Sequence, residues 1–413
     1  MLYRSETTDF LLIFRIREAN IKTLLLLHSK HYHGNFNPMN LKVKEIITNP
    51  ELKEFINYPK ILYKDHPCWI PPLDFDERNT LISSRNPSFE FCKARFWMVY
   101  RDYEPVGRIA GIINTKSNET WNEKKIRFGW FDCINDLEIA RTLIGLVQKW
   151  GTESGLNSMH GPLGFTDMDK EGMLLNHFDE VNTIATLYNY PYYPELLKQL
   201  GFRNDADWIQ YEVNIPDAMP ERLVRISDQV AKRYNLRVLQ AGSKSELLRY
   251  APQMFEVLNN VYSHLYGFVN LSQKQVDFYI RQYFGFIRKE YVCFVLDPAN
   301  QVIGFAIAFP SLSKAFMKAK GHLFPFGFIH ILKALKFRNP TLDLYLIGVH
   351  PKYQNKGVTS MVFRQITEAC IRNGVKRAVT NPQLVNNNRV LHLWDDYPVR
   401  EIALRTCFNK PIS

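Results

Sequence analysis

The sequence is poor in cysteine, and none of what it has is arranged for a cluster. Cys68, Cys92, Cys133, Cys293, Cys370 and Cys407 are scattered, with no CxxC pair. That spacing argues against a zinc ribbon or a disulfide framework and fits reduced thiols in a cytosolic protein. Long apolar runs are missing too. The stretch FLLIFRIREANIKTLLLLHSK is broken by Arg15, Arg17, Glu18 and Lys22, well short of the roughly 20 apolar residues a spanning helix needs. No small-residue cleavage site comes after it. Regular patterning begins only after Met39, with MNLKVKEI, so residues 1–38 are expected to be a poorly ordered extension or an upstream mis-start. Zinc-finger spacing and an arginine-rich tail are absent as well, so nucleic acid is not expected as a partner. Acidic residues vanish from two stretches, 298–342 and 348–367.

The chain has 413 residues, too many for one ordinary core, and a formal net charge of +11. That balance points to an anionic ligand or a membrane face. Two stretches, 41–215 and 236–410, carry parts in the same order. Each opens with a strand and a helical stretch and continues with a hairpin, FWMVYRD/PVGRIAGIIN in the first and YVCFVLDPANQVIGFAIAF in the second. Each then has a strand running into a long helix, RFGWFDC into LEIARTLIGLVQKWGTESG and LDLYLIGVHP into TSMVFRQITEACIRNG. A late helix and a closing strand complete each stretch. Residues 216–235, bounded by Pro216 and Pro220, read as a linking helix.

This order, twice in one chain, resembles the GNAT acyltransferase fold in tandem. The strings GPLGFTDMDKEGML…FDE, YNYPYYPELLKQLGF, YGFVNLS, GHLFPFG and IGVHPKYQNKGV resemble the bacterial ceramide synthase-like branch of that superfamily. The resemblance covers nearly everything after Met39. It implies an α/β (α+β) GNAT fold: two acyl-CoA N-acyltransferase-like domains, 39–215 and 236–413, each a mixed central sheet flanked by helices.

The most specific motif lies in the second unit, where Gln354-Asn355-Lys356-Gly357-Val358-Thr359 joins a strand to a helix. Helix N-termini leave backbone N–H groups unpaired and carry partial positive charge, which suits an anion. Gly357 permits close backbone approach and φ > 0. The run resembles the family's pyrophosphate loop, with Thr359 where a small glycine or alanine usually stands. By that resemblance it holds the pyrophosphate of an acyl-CoA co-substrate, with Ile347 and Val349 on the strand beside the pantetheine arm. The first unit has DCINDLEIA at the matching place, where Asp132, Asp136 and Glu138 would satisfy the helix dipole and repel a phosphate. It is not expected to bind CoA.

Attack of an amine on a thioester needs a base and a proton donor for the leaving thiolate. On alternation, Asp343 and Tyr345 point the same way as Ile347 and Val349, so either could face the amine. Asp343 reads equally well as a strand-start carboxylate in solvent. His350 is a second candidate base, beside a plainer reading as a turn histidine. Trp394 stands where the family often places a tyrosine acid, and Tyr397 is the nearby substitute. His160, Asp167 and Asp169, with Asn189, Tyr192 and Tyr193, are candidates for the acceptor side. One histidine among acids is a weak ligand set, and no metal is expected.

Residues 311–340 combine Lys314, Lys318, Lys320, Lys333, Lys336 and Arg338 with Phe316, Phe324, Phe326 and Phe328. That composition suits an anionic membrane surface or the wall of an acyl tunnel. The leading expectation is a long-chain acyl-CoA-dependent N-acyltransferase acting on a sphingoid base or similar lipid amine, cytoplasmic and peripheral at the inner face of the membrane. The alternatives are a peptidoglycan-bridge-type aminoacyltransferase and a CoA- or lipid-binding protein without turnover.

Overall fold

The structure is a computed structural model that describes residues 41–394 and 397–413. The expectation for residues 1–38 lies outside the described residues. The first half runs β1 (Leu41–Glu45), α1 (Asn49–Leu62), α2 (Asp74–Leu81), β2 (Cys92–Arg101), β3 (Glu104–Asn114), α3 (Thr115–Trp121), β4 (Lys125–Cys133), α4 (Leu137–Glu153), β5 (Ser158–Gly161), β6 (Met173–Leu174), α5 (Tyr192–Gln199) and β7 (Arg203–Asn214). Helix α6 (Glu221–Tyr234) comes next. The second half runs β8 (Arg237–Val238), α7 (Lys244–Tyr262), α8 (Gln273–Tyr283), β9 (Val292–Leu296), β10 (Val302–Pro310), α9 (Ser313–Ala319), α10 (Gly327–Lys336), β11 (Thr341–Val349), α11 (Val358–Asn373), β12 (Arg377–Thr380), β13 (Gln383–Leu384), α12 (Asn388–Leu391) and β14 (Val399–Pro411). Val43–Tyr100 and Pro105–Ser413 form one compact unit, which holds the candidate site.

The strands join one sheet in the order β1-β2-β3-β4-β5-β14-β7-β12-β11-β10-β9-β8, with β6 beside β14 and β13 beside β7. Sequence order alone does not show this arrangement, because the two closing strands are exchanged between the halves. β14, the last strand of the chain, pairs antiparallel with β5 of the first half, Phe408 opposite Gly161. β7, the last strand of the first half, pairs antiparallel with β12 of the second, Val213 opposite Ala378. The two exchanged strands also pair with each other from Val399↔Val213 to Asn409↔Arg203. β14 therefore lies at the centre of the sheet, and its middle residues Ala403, Thr406, Cys407 and Phe408 are fully buried.

Each half repeats one local device. In the first half β4 and β5 run parallel only over Lys125–Arg127 against Ser158–His160. In the second, β11 and β12 run parallel from Thr341↔Arg377 to Leu344↔Thr380 and no further. In both, the longer strand carries a bulge where it pairs with its antiparallel neighbour: β4 has one residue too many opposite Arg108–Ala110 of β3, and β11 has one, Tyr345, opposite Ile307–Ala308 of β10. A bulge adds one residue to one strand, bends it and reverses the facing of the residues beyond it.

The exchange ties both halves to the centre of one sheet, so they are expected to unfold together. Phe408→Ala, which empties a fully buried ring position, is expected to cost about 3–5 kcal/mol. Amide protection should fall in β5 and β7 alike when hydrogen exchange is followed by mass spectrometry. Loss confined to one half would contradict a shared core.

Candidate active site

The site forms where β11 parts from β12. After Leu344, β11 has only β10 as a partner, and the next contact across the gap is made by Asn381, whose backbone N–H donates to the Leu344 carbonyl at 3.0 Å. The edge from Tyr345 to Val349 faces a cavity of ~830 Å³. Its walls come from both halves: Asp76, Glu77, Arg108, Asp132 and Asp167–Glu171 from the first, and Leu344–Val349, Tyr262, Trp394 and Tyr397 from the second.

The loop at one end of the cavity is built as its sequence suggests. Asn355 and Gly357 both take left-handed conformations, at φ 59° and 78°. Gly357 is the N-cap of α11, and no side chain caps that first turn. A Cβ at Gly357 would stand 3.0 Å from Val230 on α6. Gln354, Asn355, Gly357, Val358 and Thr359 line the cavity. Gln354 is tied down, donating to the Val349 carbonyl at 3.1 Å and accepting from Arg389 at 3.0 Å. Lys356 lies over the rings of Tyr234 and Tyr353. Arg389, from α12, also lines the cavity and adds a cation that sequence spacing did not flag. These features fit a pyrophosphate: open N–H groups, a turn that only a residue tolerant of positive φ can make, and cations at its rim.

The matching place in the first half is closed. Asp136 caps α4, its Oδ1 accepting from the N–H groups of Glu138 and Ile139 at 2.9 and 3.3 Å. The edge of β4 is taken by tyrosines: Tyr193 accepts from the Cys133 N–H at 2.9 Å, and Tyr192 and Tyr193 donate to its carbonyl at 2.7 and 3.0 Å. Asp132 lies away from the helix end where the sequence placed it. It is buried in the strand, pairs with Arg108 at 2.7 Å and accepts from Tyr63 at 3.0 Å.

The bulge changes the expected facing of β11. Leu344, Ile347 and Val349 pack with the α11 core, whereas Tyr345 packs with Phe309 and Leu312 and Leu346 with the α7 core. Asp343 and Tyr345 therefore do not share a face with Ile347 and Val349, because the inserted residue resets the alternation. Asp343 is 1% exposed and does not line the cavity. Neither carboxylate oxygen makes a hydrogen bond of normal geometry. Burial pushes its carboxyl up to about 7, against a weaker downward pull from Ser311 and Leu312. Tyr345 does reach the cavity, its ring 4.2 Å from that of Phe309.

His350 caps the short turn after β11, its Nδ1 accepting from the Lys352 N–H at 3.2 Å, and it is not in the cavity wall. Trp394 donates its indole N–H to Gln383 at 2.9 Å, and Tyr397 lies on the cavity wall against Phe363. On the acceptor side, His160 is 4% exposed, 3.0 Å from the Tyr266 hydroxyl and outside the cavity wall. Burial, then Arg127 and Lys125, hold its imidazole well below the ordinary range. Asn189 fastens a turn, bonding both the N–H and the C=O of Leu174 at 2.7 and 3.1 Å, with part of it on the cavity wall. Tyr192 and Tyr193 are occupied at Cys133 and do not reach the acceptor side. Asp167 and Asp169 do face the cavity.

Those two acids belong to a larger charged wall. Burial pushes Asp167 up to about 7 and Asp169 to about 6. Glu171 is raised well above its ordinary value, first by burial and then by the charge of Asp167. Burial also raises Asp76 to about 6 and lowers Lys170. They touch the cavity yet lie deep in the molecule, which explains the size of these effects. Opposite them is Tyr262, the last residue of α7. Its hydroxyl donates to the Ile347 carbonyl at 3.1 Å, on the open edge of β11. Burial pushes that hydroxyl up to about 12, with Asp167 adding to the rise. Sequence reading missed Tyr262 because it ends an ordinary amphipathic helix, and only the fold brings it to the strand.

Residues 253–395 match a family model described as the acetyltransferase (GNAT) family. The protein YghO of Escherichia coli is 26% identical over 329 residues, 79% of this chain and 83% of that one. The bacterial ceramide synthase of Caulobacter vibrioides is 24% identical over 323 residues, 76% and 82% of the two chains. Among solved structures, a tandem GNAT protein from the clavulanic acid biosynthesis pathway superposes with a TM-score of 0.53 at 10% identity, covering 91% of this chain and 99% of that one. The fold is that of a tandem GNAT protein.

The geometry of the loop and of Asp343 yields two expected outcomes. Gly357→Asp and Gly357→Asn share the left-handed backbone and the contact with Val230, and differ in charge. The aspartate is expected to weaken CoA binding roughly ten- to a hundredfold more than the asparagine by calorimetry. Equal losses would mean that no phosphate sits there. Asp343 has a folded-state pKa above its unfolded value, so the native state binds the extra proton. Stability is then lost as pH rises from about 4 to about 7. Asp343→Asn should remove that fall, and be more stable than the parent above pH ~8 by roughly 3–4 kcal/mol in denaturant titrations.

Proposed function

On the premise that this chain is an N-acyltransferase of the GNAT superfamily, with its family domain across residues 253–395, we propose that it transfers a long-chain acyl group from acyl-CoA to the amine of a sphingoid base or a similar amphipathic amine. The observation that carries this reading is the continuity of the cavity. It runs from an uncapped helix N-terminus to a wall of Asp76, Glu77, Asp167, Asp169 and Glu171, with apolar lining from Leu73, Ile184, Phe286 and Phe316. One end suits a pyrophosphate, the middle an ammonium, and the apolar lining a hydrocarbon chain. The name of the Caulobacter relative supports the same substrate class. In this reading, 39–215 and 236–413 are the two GNAT-like domains and 216–235 links them. The first builds the acceptor side and the second holds the donor.

The chemistry comes from the wall. A carboxylate whose pKa is near neutrality can take a proton from the bound ammonium, and Asp167 fills that role, with Glu171 beside it. The neutral amine then attacks the thioester carbon, the C–N bond forms, the C–S bond breaks and CoA leaves as thiolate. Tyr262, whose hydroxyl rests on the open strand at the Ile347 carbonyl, is the proton donor. When a pantetheine amide takes the Ile347 carbonyl, the hydroxyl is released to protonate the sulfur, and the phenolate takes up the proton that the new amide nitrogen sheds. Asp343 and His350 are left outside the reaction by their positions, and Tyr397 is a second hydroxyl on the wall. A peripheral place at a membrane, through 311–340, belongs to the same reading. No helix of the described residues is long and apolar enough to cross a membrane.

The test is incubation with palmitoyl-CoA and a sphingoid base, with N-acyl product and free CoA read by mass spectrometry. Both are expected together. Tyr262→Phe and Asp167→Asn should each lower kcat by about 10²-fold or more, with KM for acyl-CoA changed little. Acyl-CoA bound but not consumed would mean a binding protein, and free CoA without amide a different acceptor.

A further inference from the structure

The insertion between β10 and β11 has two unlike faces. Its inner face is anchored: Phe316 and Ile331 are buried against Ile70, Leu73, Ile184 and Phe309. Phe316 also forms part of the cavity wall. Its outer face is apolar and bare. Phe324 is 78% exposed, Phe326 68% and Phe337 67%, and Phe328, Ile329 and Leu332 of α10 are exposed beside them. Four of the five exposed phenylalanines among the described residues lie in these fourteen positions. A scattered exposed phenylalanine needs no explanation, but a concentration of this kind marks a contact surface.

The charge around the patch selects the contact. Lys314, Lys318, Lys320, Lys333, Lys336 and Arg338 are exposed, and no ion pair among the described residues engages them. No acid occurs between Asp297 and Asp343. Carboxylates brought close by the fold are already held, Asp74 by Lys60 and His322 and Glu290 by Arg288. A protein partner would have to match bulky aromatics and cations with pockets and acids at fixed positions. An anionic bilayer matches both without fixed geometry, through phosphates outside and acyl chains beneath.

We propose that the outward face of α9–α10 is a membrane-docking wedge for an anionic leaflet. Phe324, Phe326, Phe328 and Phe337 enter the headgroup–acyl boundary while the surrounding lysines bind lipid phosphates. Resting on the lipid-amine reading of the cavity, docking sets the wall that carries Phe316 against the bilayer, so that the amphipathic acceptor passes from the leaflet to the cavity without crossing water.

The experiment is vesicle flotation of the full chain with phosphatidylcholine alone and with added phosphatidylglycerol, beside turnover of a short-chain acyl-CoA and a water-soluble amine without vesicles. The parent is expected to float with phosphatidylglycerol and much less with phosphatidylcholine. Lys333→Ser/Lys336→Ser/Arg338→Ser should lower partitioning roughly a hundredfold, taking about a fivefold factor per cation. Phe324→Ser/Phe326→Ser/Phe328→Ser should lower it at least about tenfold and leave vesicle-free turnover unchanged. Partitioning that ignores either triple change would overturn the wedge. So would a parent that dimerises through this face and does not float, with the phenylalanine variant monomeric. Absence of turnover in the parent would count against the acyltransfer reading, while flotation would still judge the docking surface.

Discussion

The site exists because two neighbouring parallel strands stop pairing. A backbone edge inside a sheet is ordinarily saturated, and an unpaired edge buried from water is costly. β11 keeps its partner through Leu344 and then loses it, so the edge from Tyr345 to Val349 must be satisfied by something other than strand. Side chains do part of this: Tyr262 on the Ile347 carbonyl and Asn381 on the Tyr345 carbonyl, at 3.1 and 3.2 Å. A ligand that carries its own amides would compete for the same positions. The bulge on this strand, the cavity and the uncapped helix all gather around this gap.

In the first half such a gap is filled from within. There the edge of β4 is closed by Tyr192 and Tyr193, the helix end by Asp136 and the interior by the Arg108–Asp132 pair. The two halves thus share an architecture, and at this edge the difference lies in a handful of polar side chains. In one half those side chains turn a binding edge into a packed wall, and in the other they leave it available.

The strand exchange explains why both halves are needed for one cavity. β14 and β7 cross the middle of the sheet, so the GFTDMDKEG segment of the first half is held beside the open edge of the second. Its carboxyls are raised by depth, and depth comes from this juxtaposition. An acid on an independent first domain would face solvent and titrate as an ordinary acid.

Much was legible in the sequence. The hairpins, the strand-to-helix units and the Gln354–Thr359 turn are local: alternation, caps and a glycine in left-handed conformation are written in neighbouring residues. The difference between an uncapped and an Asp-capped helix was readable for the same reason. What the sequence could not decide was facing and adjacency. Asp343 was placed with Ile347 by simple alternation, and one bulged residue undid that. His160, Tyr192 and Tyr193 have the chemistry of a site but are spent on core contacts. Tyr262 comes to the strand edge at Ile347 and Arg389 to the loop at Gln354 from distant parts of the chain. Backbone conformation depends on nearest neighbours, whereas the direction of a side chain across a cavity depends on register summed over the whole sheet, and only the tertiary structure fixes that sum.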